Sequence, residues 1–438
     1  MNGMNGMNGM NGMNSVHSSI RSWPVYIMIV LTTINFLNYI DQRLLSAVLE
    51  SIKAEWTLSD AQGGMLGSVF VIVYTLAAPV GYLGDRMRRK NLIAGGVLLW
   101  SLATVGAAFA RNYHEMLIAR ALLGVGEACY ATIAPSIIAD LYSPDRRSRK
   151  LAYFYLATPV GSALGYIIGG YIGQYFGWRA VFLCGGLPGL LFALLAFLMI
   201  EPRRGQHDPE PPTAPGMSLP ATIKRLLQTP AWRINTIGLA MMTFTVGGLA
   251  LWMPSYLERV HGMAQGPANL LFGAITVIAG ILGTLAGGAL GDRMQARSAG
   301  GYFKLSGIGL LLSSPFIALM PLIGWLPGVF IIVFIAEVLL FLNTGPLNAA
   351  LVGCVPVQMR GTAFAVNILC IHAFGDALSN LLLGVISDAA APVLGSAAAG
   401  LSLALAVTAI PVAVGGVVLL RGARWIARQP QGLTTYPG

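Results

Sequence analysis

Seven ionisable side chains stand inside stretches otherwise apolar enough to exclude water: Asp41 and Arg43 in NYIDQR, Arg120 and Glu127, Glu337, and the pair His372 and Asp376. Carboxyl and imidazole groups exchange protons and guanidinium groups capture anions, so the set suits ion handling better than covalent catalysis. An ion at the centre of a bilayer costs ~2.5–3.5 kcal/mol on insertion scales, so each of these groups needs a partner or a wet cavity.

Their spacing places them on helix faces. Asn35, Asn38 and Asp41 with Gln42 recur at one-turn intervals as a polar stripe, and Arg120, Gly124 and Glu127 do the same. The expected result is a cluster in which Asp41 meets Arg120, with Arg43 and Glu127 within reach, so that two anions compensate two cations. Two readings stay open: a static ion pair tying the two segments together, or a carboxyl at Asp41 or Glu127 that takes up a proton and frees an Arg for an anionic substrate. His372 and Asp376 share one face of their helix and are expected in a cavity. Glu337, Asn343 and Asn348 are expected to add polar groups to it, from a segment interrupted by Gly345 and Pro346. That break is either a hinge or a fixed kink.

The elements that must hold these groups are apolar helices. Hydrophobic residues make up 55% of the 438 and charged residues 10%, with a mean hydropathy of +0.69, which excludes a water-facing globule. Twelve runs reach the ~20 residues needed to cross the hydrocarbon layer, the first over 23–49 and the last over 393–420. Barrel strands are half as long, and lipid satisfies no backbone polar group, so these runs are helices. An all-α polytopic membrane protein with twelve transmembrane helices follows. Of the 27 Lys and Arg, Arg43 and Arg120 lie within spans, and only Lys53, Arg111, Arg179 and Arg259 fall on the side opposite the termini. The positive-inside rule therefore puts both termini in the cytoplasm. The +10 net charge reports this topology and contact with anionic headgroups, and no nucleic-acid partner is implied.

A charged, Pro-rich break, EPRRGQHDPEPPTAPG at 201–216, separates one six-helix bundle over 22–200 from a second over 231–421. The linker, 201–230, contains SLPATIKRLLQTP, with Leu219, Ile223, Leu226 and Leu227 on one face and Lys224 and Arg225 on another, as expected of a helix lying in the cytoplasmic interface. The MNGMNGMNGMNGMN start has neither a basic region nor an apolar core, so 1–21 reads as a disordered tail rather than a signal peptide, and 422–438 as a cytoplasmic tail. Cys129, Cys184, Cys354 and Cys370 fall in apolar spans as packing residues. No disulfide, metal site or cofactor is expected.

The two bundles repeat. GYLGDRM at 81–87 returns as GALGDRM at 288–294, after the second span of each half. Two six-helix units of one topology are the arrangement of parallel-repeat transporters. Asp85 and Arg86, with Asp292 and Arg293, are expected to form cytoplasmic latches, and Arg360 joins them as a gate residue. Gly161, Gly165, Gly169 and Gly173, and again Gly283, Gly287 and Gly291, give small-residue faces for close helix packing.

GYLGDRMRRK and RALLGVG, 120–126, resemble the signature strings of the major facilitator superfamily. That resemblance spans the whole chain and implies two bundles rocking about a central site, alternating access, and transport of a small molecule. NYIDQR followed by LLSAVL, and RGTAFAVNILCIHAFGDALSNLLLGVISD at 360–388, are similar to the Spinster family's strings in its first and eleventh spans, including the Arg, the His, the G-D-x-x-S and the G-x-x-S-D. A bacterial Spinster homologue in the inner membrane is the implied identity. The family implies export of amphiphilic lipids such as lysophospholipids or sphingosine phosphate, linked to protons; for a bacterium, a lysophospholipid-like anion. Two departures stand out. Gln42 separates Asp41 from Arg43, turning the Arg about 100° further round the helix, and Asn380 replaces the family's Pro.

The alternative within transporters is a proton-coupled symporter of a polar organic anion such as a sugar acid, which would want a polar second half with an extra Arg. Between Arg233 and Glu258 that half instead offers MMTFTVGGLALWMP and no charge. An intramembrane enzyme would need a nucleophile with its base or a His-rich metal cluster, and five scattered His supply neither. The expected partners are a small amphipathic substrate, protons and membrane lipids, handled by a monomer.

Overall fold

The computed structural model describes residues 7–82, 86–204, 219–356 and 359–428. Among them, twelve helices are long and apolar enough to cross a membrane: spans 1 to 6 are Trp23–Trp56, Asp60–Val80, Arg89–Ala108, Tyr113–Leu141, Arg149–Phe176 and Trp178–Leu198. Spans 7 to 12 are Pro230–His261, Gln265–Arg297, Gly301–Leu322, Leu326–Gly353, Arg360–Leu394 and Ala397–Ala427. No strand occurs among the described residues, and the all-α expectation holds. An even number of spans puts the start of span 1 and the end of span 12 on one side, the termini face; the opposite side is the far face.

One boundary differs. The first helix runs Met7–Trp56, so residues 7–21, expected as a disordered tail, are helical. Extending a helix that tertiary packing has already nucleated adds one hydrogen bond per residue without a new nucleus, which offsets the poor propensity of the Asn-Gly repeats.

Four spans are interrupted in matching places, besides span 12, which breaks at Thr408 ahead of Pro411. Span 4 breaks between Ala131 and Ala134, ahead of Pro135, and span 10 between Phe341 and Thr344, ahead of Pro346. Span 5 breaks at Leu156, ahead of Pro159, and span 11 carries a wide turn over His372–Asp376 in which Gly375 leaves helical geometry. Pro lacks an amide and its ring collides with the preceding turn, which accounts for the first three. The pairs 4 with 10 and 5 with 11 are equivalents in the internal repeat.

The glycine faces pack where the small residues allow. Gly161, Gly165 and Gly169 let span 5 touch span 1 at Phe36, Ile40 and Ala47, and Gly283, Gly287 and Gly291 let span 8 touch span 10 at Val338, Leu342 and Pro346. The halves meet along span 2 against span 11 and span 5 against span 8, pairs that the same repeat exchanges. Hydrogen bonds between the halves run from Ser68 with Ala377 near mid-span outward to Asp60 with Asp388 on the far side. Helix Leu219–Gln228 precedes span 7 with Leu226 buried and Leu219 and Leu227 exposed, so its apolar residues divide between the protein and the surface.

Candidate functional site

Span 1 supplies the polar stripe, and its members diverge. Asp41 is buried and accepts a hydrogen bond from Thr104 Oγ1 of span 3 at 2.6 Å, while its Oδ1 has no partner. Gln42, one residue on, turns to span 4 and donates to Glu127 Oε2 at 2.8 Å and to Asn38 Oδ1 at 3.2 Å. Glu127 is wholly buried, and its second oxygen is unpartnered. Arg120, also buried, lies over the Phe70 ring at 4.9 Å and donates from Nε to the Leu66 carbonyl at 3.4 Å. It stands within electrostatic reach of Asp41 and Glu127.

The expected cluster is therefore corrected in two respects. Asp41, Glu127 and Arg120 do converge, but no ion pair joins them, because Thr104 and Gln42 occupy the near positions on the two carboxyls. Arg43 is not part of it. It faces span 5, with its guanidinium 5.7 Å from the Tyr166 ring centroid and its Nε unpartnered, and it stands within electrostatic reach of Glu337 of the other half. Glu337 is buried, accepts from Thr276 Oγ1 at 3.0 Å and keeps one oxygen without a partner.

Arg43 and Arg120 nevertheless line one cavity of about 100 Å3 between the halves, together with Gln42, Phe70, Asp376 and Asn380. His372 Nδ1 lies 3.1 Å from both oxygens of Asp376. One turn nearer the termini face, the His372 ring meets Tyr74 of span 2 edge-on with centroids 5.9 Å apart, spanning the halves below the cavity.

Three other expected cavity groups serve local structure instead. Asn35 donates to the Phe154 carbonyl at 3.1 Å, beside the break in span 5. Asn343 donates to Leu339 and Leu340 at the break in span 10, and Asn348 is exposed and bonds the Thr344 carbonyl at 2.8 Å. Polar side chains near a helix break satisfy the carbonyls it frees, which is why these sequence positions are polar.

The expected gate is also different. Asp85 lies outside the described residues. Arg86 and Arg293 are exposed; Asp292, exposed as well, accepts from Tyr302 of its own half at 2.9 Å; Arg360 is half-buried with its Nε unpartnered. The buried ion network at this face centres on Arg89, paired with Asp140 of the first half at 2.6 Å and with Glu201 at the start of the linker at 3.0 Å. Arg89 stands three residues past the expected latch, at the first turn of span 3, where its stem reaches inward and its head finds two carboxylates. Sequence reasoning also missed Thr104, Thr276 and Tyr166, whose hydroxyls look unremarkable in an apolar run, and a far-face network around Asp60 and Arg259, of which only the G-x-x-S-D string gave a sign.

The chain matches the model of the Major Facilitator Superfamily over residues 31–379. It is 38% identical to protein spinster homolog 1 of Xenopus laevis over 384 residues, 83% of this chain and 73% of that one. The identity to the human protein spinster homolog 1 is 38% over 385 residues, 83% and 72% of the two chains. A crystal structure of a bacterial homologue of the human lysosomal transporter Spinster, inward-facing and unoccupied, superposes with a TM-score of 0.83 at 25% identity, covering 92% of this chain and 97% of that one. A D-xylose–proton symporter has the same fold, with a TM-score of 0.69 at 18% identity, covering 94% of this chain and 100% of that one. Twelve spans in two equivalent bundles, matched over most of their length by Spinster proteins, place this chain in the major facilitator superfamily as a transporter of the Spinster family.

Proposed function

We propose that this transporter carries a lysophospholipid-like amphipathic anion by alternating access, with protons as the coupling ion. The observation that carries the reading is the arrangement of charge at the central cavity: Arg43 and Arg120 both line it, and neither is in an ion pair. A buried guanidinium without a counter-anion is costly, and a substrate phosphate would relieve that cost with charge-assisted, bidentate hydrogen bonds. Asp41 and Glu127 are each held by one neutral donor and have an oxygen to spare. Neither is locked to a cation, so either can exchange a proton and alter the field at Arg120.

The cavity lining also includes Leu45, Phe70, Val71 and Leu251, which suits an apolar chain beside a charged head. Its volume of about 100 Å3 suits the phosphate; the rest of the molecule would enter as the bundles part on the termini face. The bias of Lys and Arg supports both termini in the cytoplasm, and on that orientation the sealed far face makes this a state closed to the outside. A bacterial inner-membrane location and a monomeric unit remain part of the proposal.

Uptake of labelled lysophospholipid, compared with a sugar acid, into proteoliposomes with and without a proton gradient tests it. Gradient-dependent lysophospholipid uptake is the expected result. Stimulation by the sugar acid alone would replace the lipid reading with the organic-anion symporter.

A further inference from the structure

The G-x-x-S-D string at the far end of span 11 has no role at the central cavity, yet every specified residue in it touches the first turn of span 2. At Gly384 a side chain would overlap the Asp60 carbonyl, so only glycine lets the two helices come this close. Ser387 Oγ donates to Asp60 Oδ2 at 2.5 Å. Asp388 accepts from the backbone amides of Asp60 and Ala61 at 2.9 and 2.8 Å. These are amides that a helix leaves unsatisfied at its start, and the carboxylate also meets the positive end of the helix dipole. Ser59 caps a third amide, that of Gln62, from within the same half. The N-terminus of span 2 is thus capped partly by its own bundle and partly by the other one.

A second set of bonds crosses at the same place. Arg259, at the end of span 7, forks to Glu50 at 2.7 and 2.6 Å and to Asp60 at 2.8 and 2.7 Å. Lys53 pairs with Asp60 from the first half. Asp60 is buried, so separating the halves would take from it Arg259 and Ser387 together while stripping Asp388 from the helix end.

We propose that Asp388, Ser387 and Arg259 form the latch of the far gate, a cap shared between bundles that must be released before the central cavity opens to the far face. Capping groups are ordinarily local to one helix; here the carboxylate belongs to the half that moves away, so closing the gate and completing the helix end are one event. Gly384 sets the approach that allows it. The inference rests on the alternating-access reading and is independent of what is carried.

Electron–electron distance measurements in nanodiscs test it without any substrate. Spin labels go on Arg111→Cys and Gly324→Cys, in far-face loops of the two halves, with Cys129, Cys184, Cys354 and Cys370 replaced. The parent should give mainly the short, far-closed distance. Asp388→Ala should raise the ratio of far-open to far-closed molecules about tenfold or more, as expected for loss of two charge-assisted hydrogen bonds. Asp388→Asn and Ser387→Ala should give smaller shifts in the same direction. Glu55→Gln, which breaks the exposed pair with Arg179 inside one half, should leave the distribution unchanged. Should Asp388→Ala fail to fold, Asp388→Asn and Ser387→Ala give the same readout. An unchanged distribution in these folded variants, even with a lowered melting temperature, would reduce the string to a structural cap and overturn the latch. Failure of lipid uptake would leave this result standing.

Discussion

Gln42 and Glu127 are joined by a 2.8 Å hydrogen bond from amide Nε2 to carboxyl Oε2, so spans 1 and 4 meet through a neutral donor and an acid. The cation that follows Gln42 in sequence, Arg43, points at Tyr166 in span 5. One residue of helical rotation has sorted the acids toward the interior of the first bundle and a guanidinium toward the contact between bundles.

Gln42→Leu removes the donor and leaves Glu127 buried without a hydrogen bond. A loss of about 1–3 kcal/mol in stability is expected, read as a lower melting temperature in detergent. Adding Glu127→Met should recover part of it, because the second change removes the buried polar group left unsatisfied. Fully additive losses would show that the contact is inconsequential.

Neither Arg43 nor Arg120 is in an ion pair, so neutralising either should cost little stability and much affinity. Arg43→Gln and Arg120→Gln are each expected to weaken binding of a lysophospholipid about tenfold to a hundredfold, the worth of one charge-assisted contact. Binding isotherms in nanodiscs check this, and an affinity within twofold of the parent would remove the anion site.

Asp41→Asn and Glu127→Gln keep shape and hydrogen bonding while removing proton exchange. Uptake by at least one of them should lose its response to a proton gradient, with counterflow of substrate retained. Full, gradient-stimulated uptake by both would rule out a proton role for this pair.

Arg89→Ala opens the buried network with Asp140 and Glu201. Removing one partner of a buried ion network costs about 3–5 kcal/mol, since the remaining charges stay desolvated. Asp292→Ala, in the second copy of the repeated string, breaks only an exposed contact with Tyr302 and should cost no more than about 1 kcal/mol. Thermal unfolding of the two variants side by side reads the difference; equal losses would mean the face is not organised around Arg89.

Much of the fold was legible because lipid imposes a simple rule. Apolar runs of one length must be helices, and GYLGDRM with GALGDRM marked the internal repeat before any contact was known. The close approaches at Gly165 and Gly287 were also readable, since only hydrogen in place of a side chain permits them. The breaks in spans 4 and 5 were less so: Pro135 and Pro159 sit in long apolar runs, and a proline in a membrane helix bends it by an amount set by its neighbours. Asn35 and Asn343 looked like cavity groups because polarity in an apolar run signals a need for hydrogen bonds without saying whether ligand or backbone supplies it.

Composition and periodicity alone settled that this chain spans a membrane twelve times as paired bundles, and local strings settled its family, because both depend on residue type and neighbours along the chain. Which acid meets which cation, and that Asp388 closes the start of a helix 328 residues away in sequence, depended on the tertiary structure. A helix fixes the angle of each side chain about its own axis, but the rotation and height of one helix against another come from packing summed over the whole bundle. The 100° by which Gln42 turns Arg43 round span 1 could be read from the sequence; that the turn carries the guanidinium to Tyr166 and not to an acid could not.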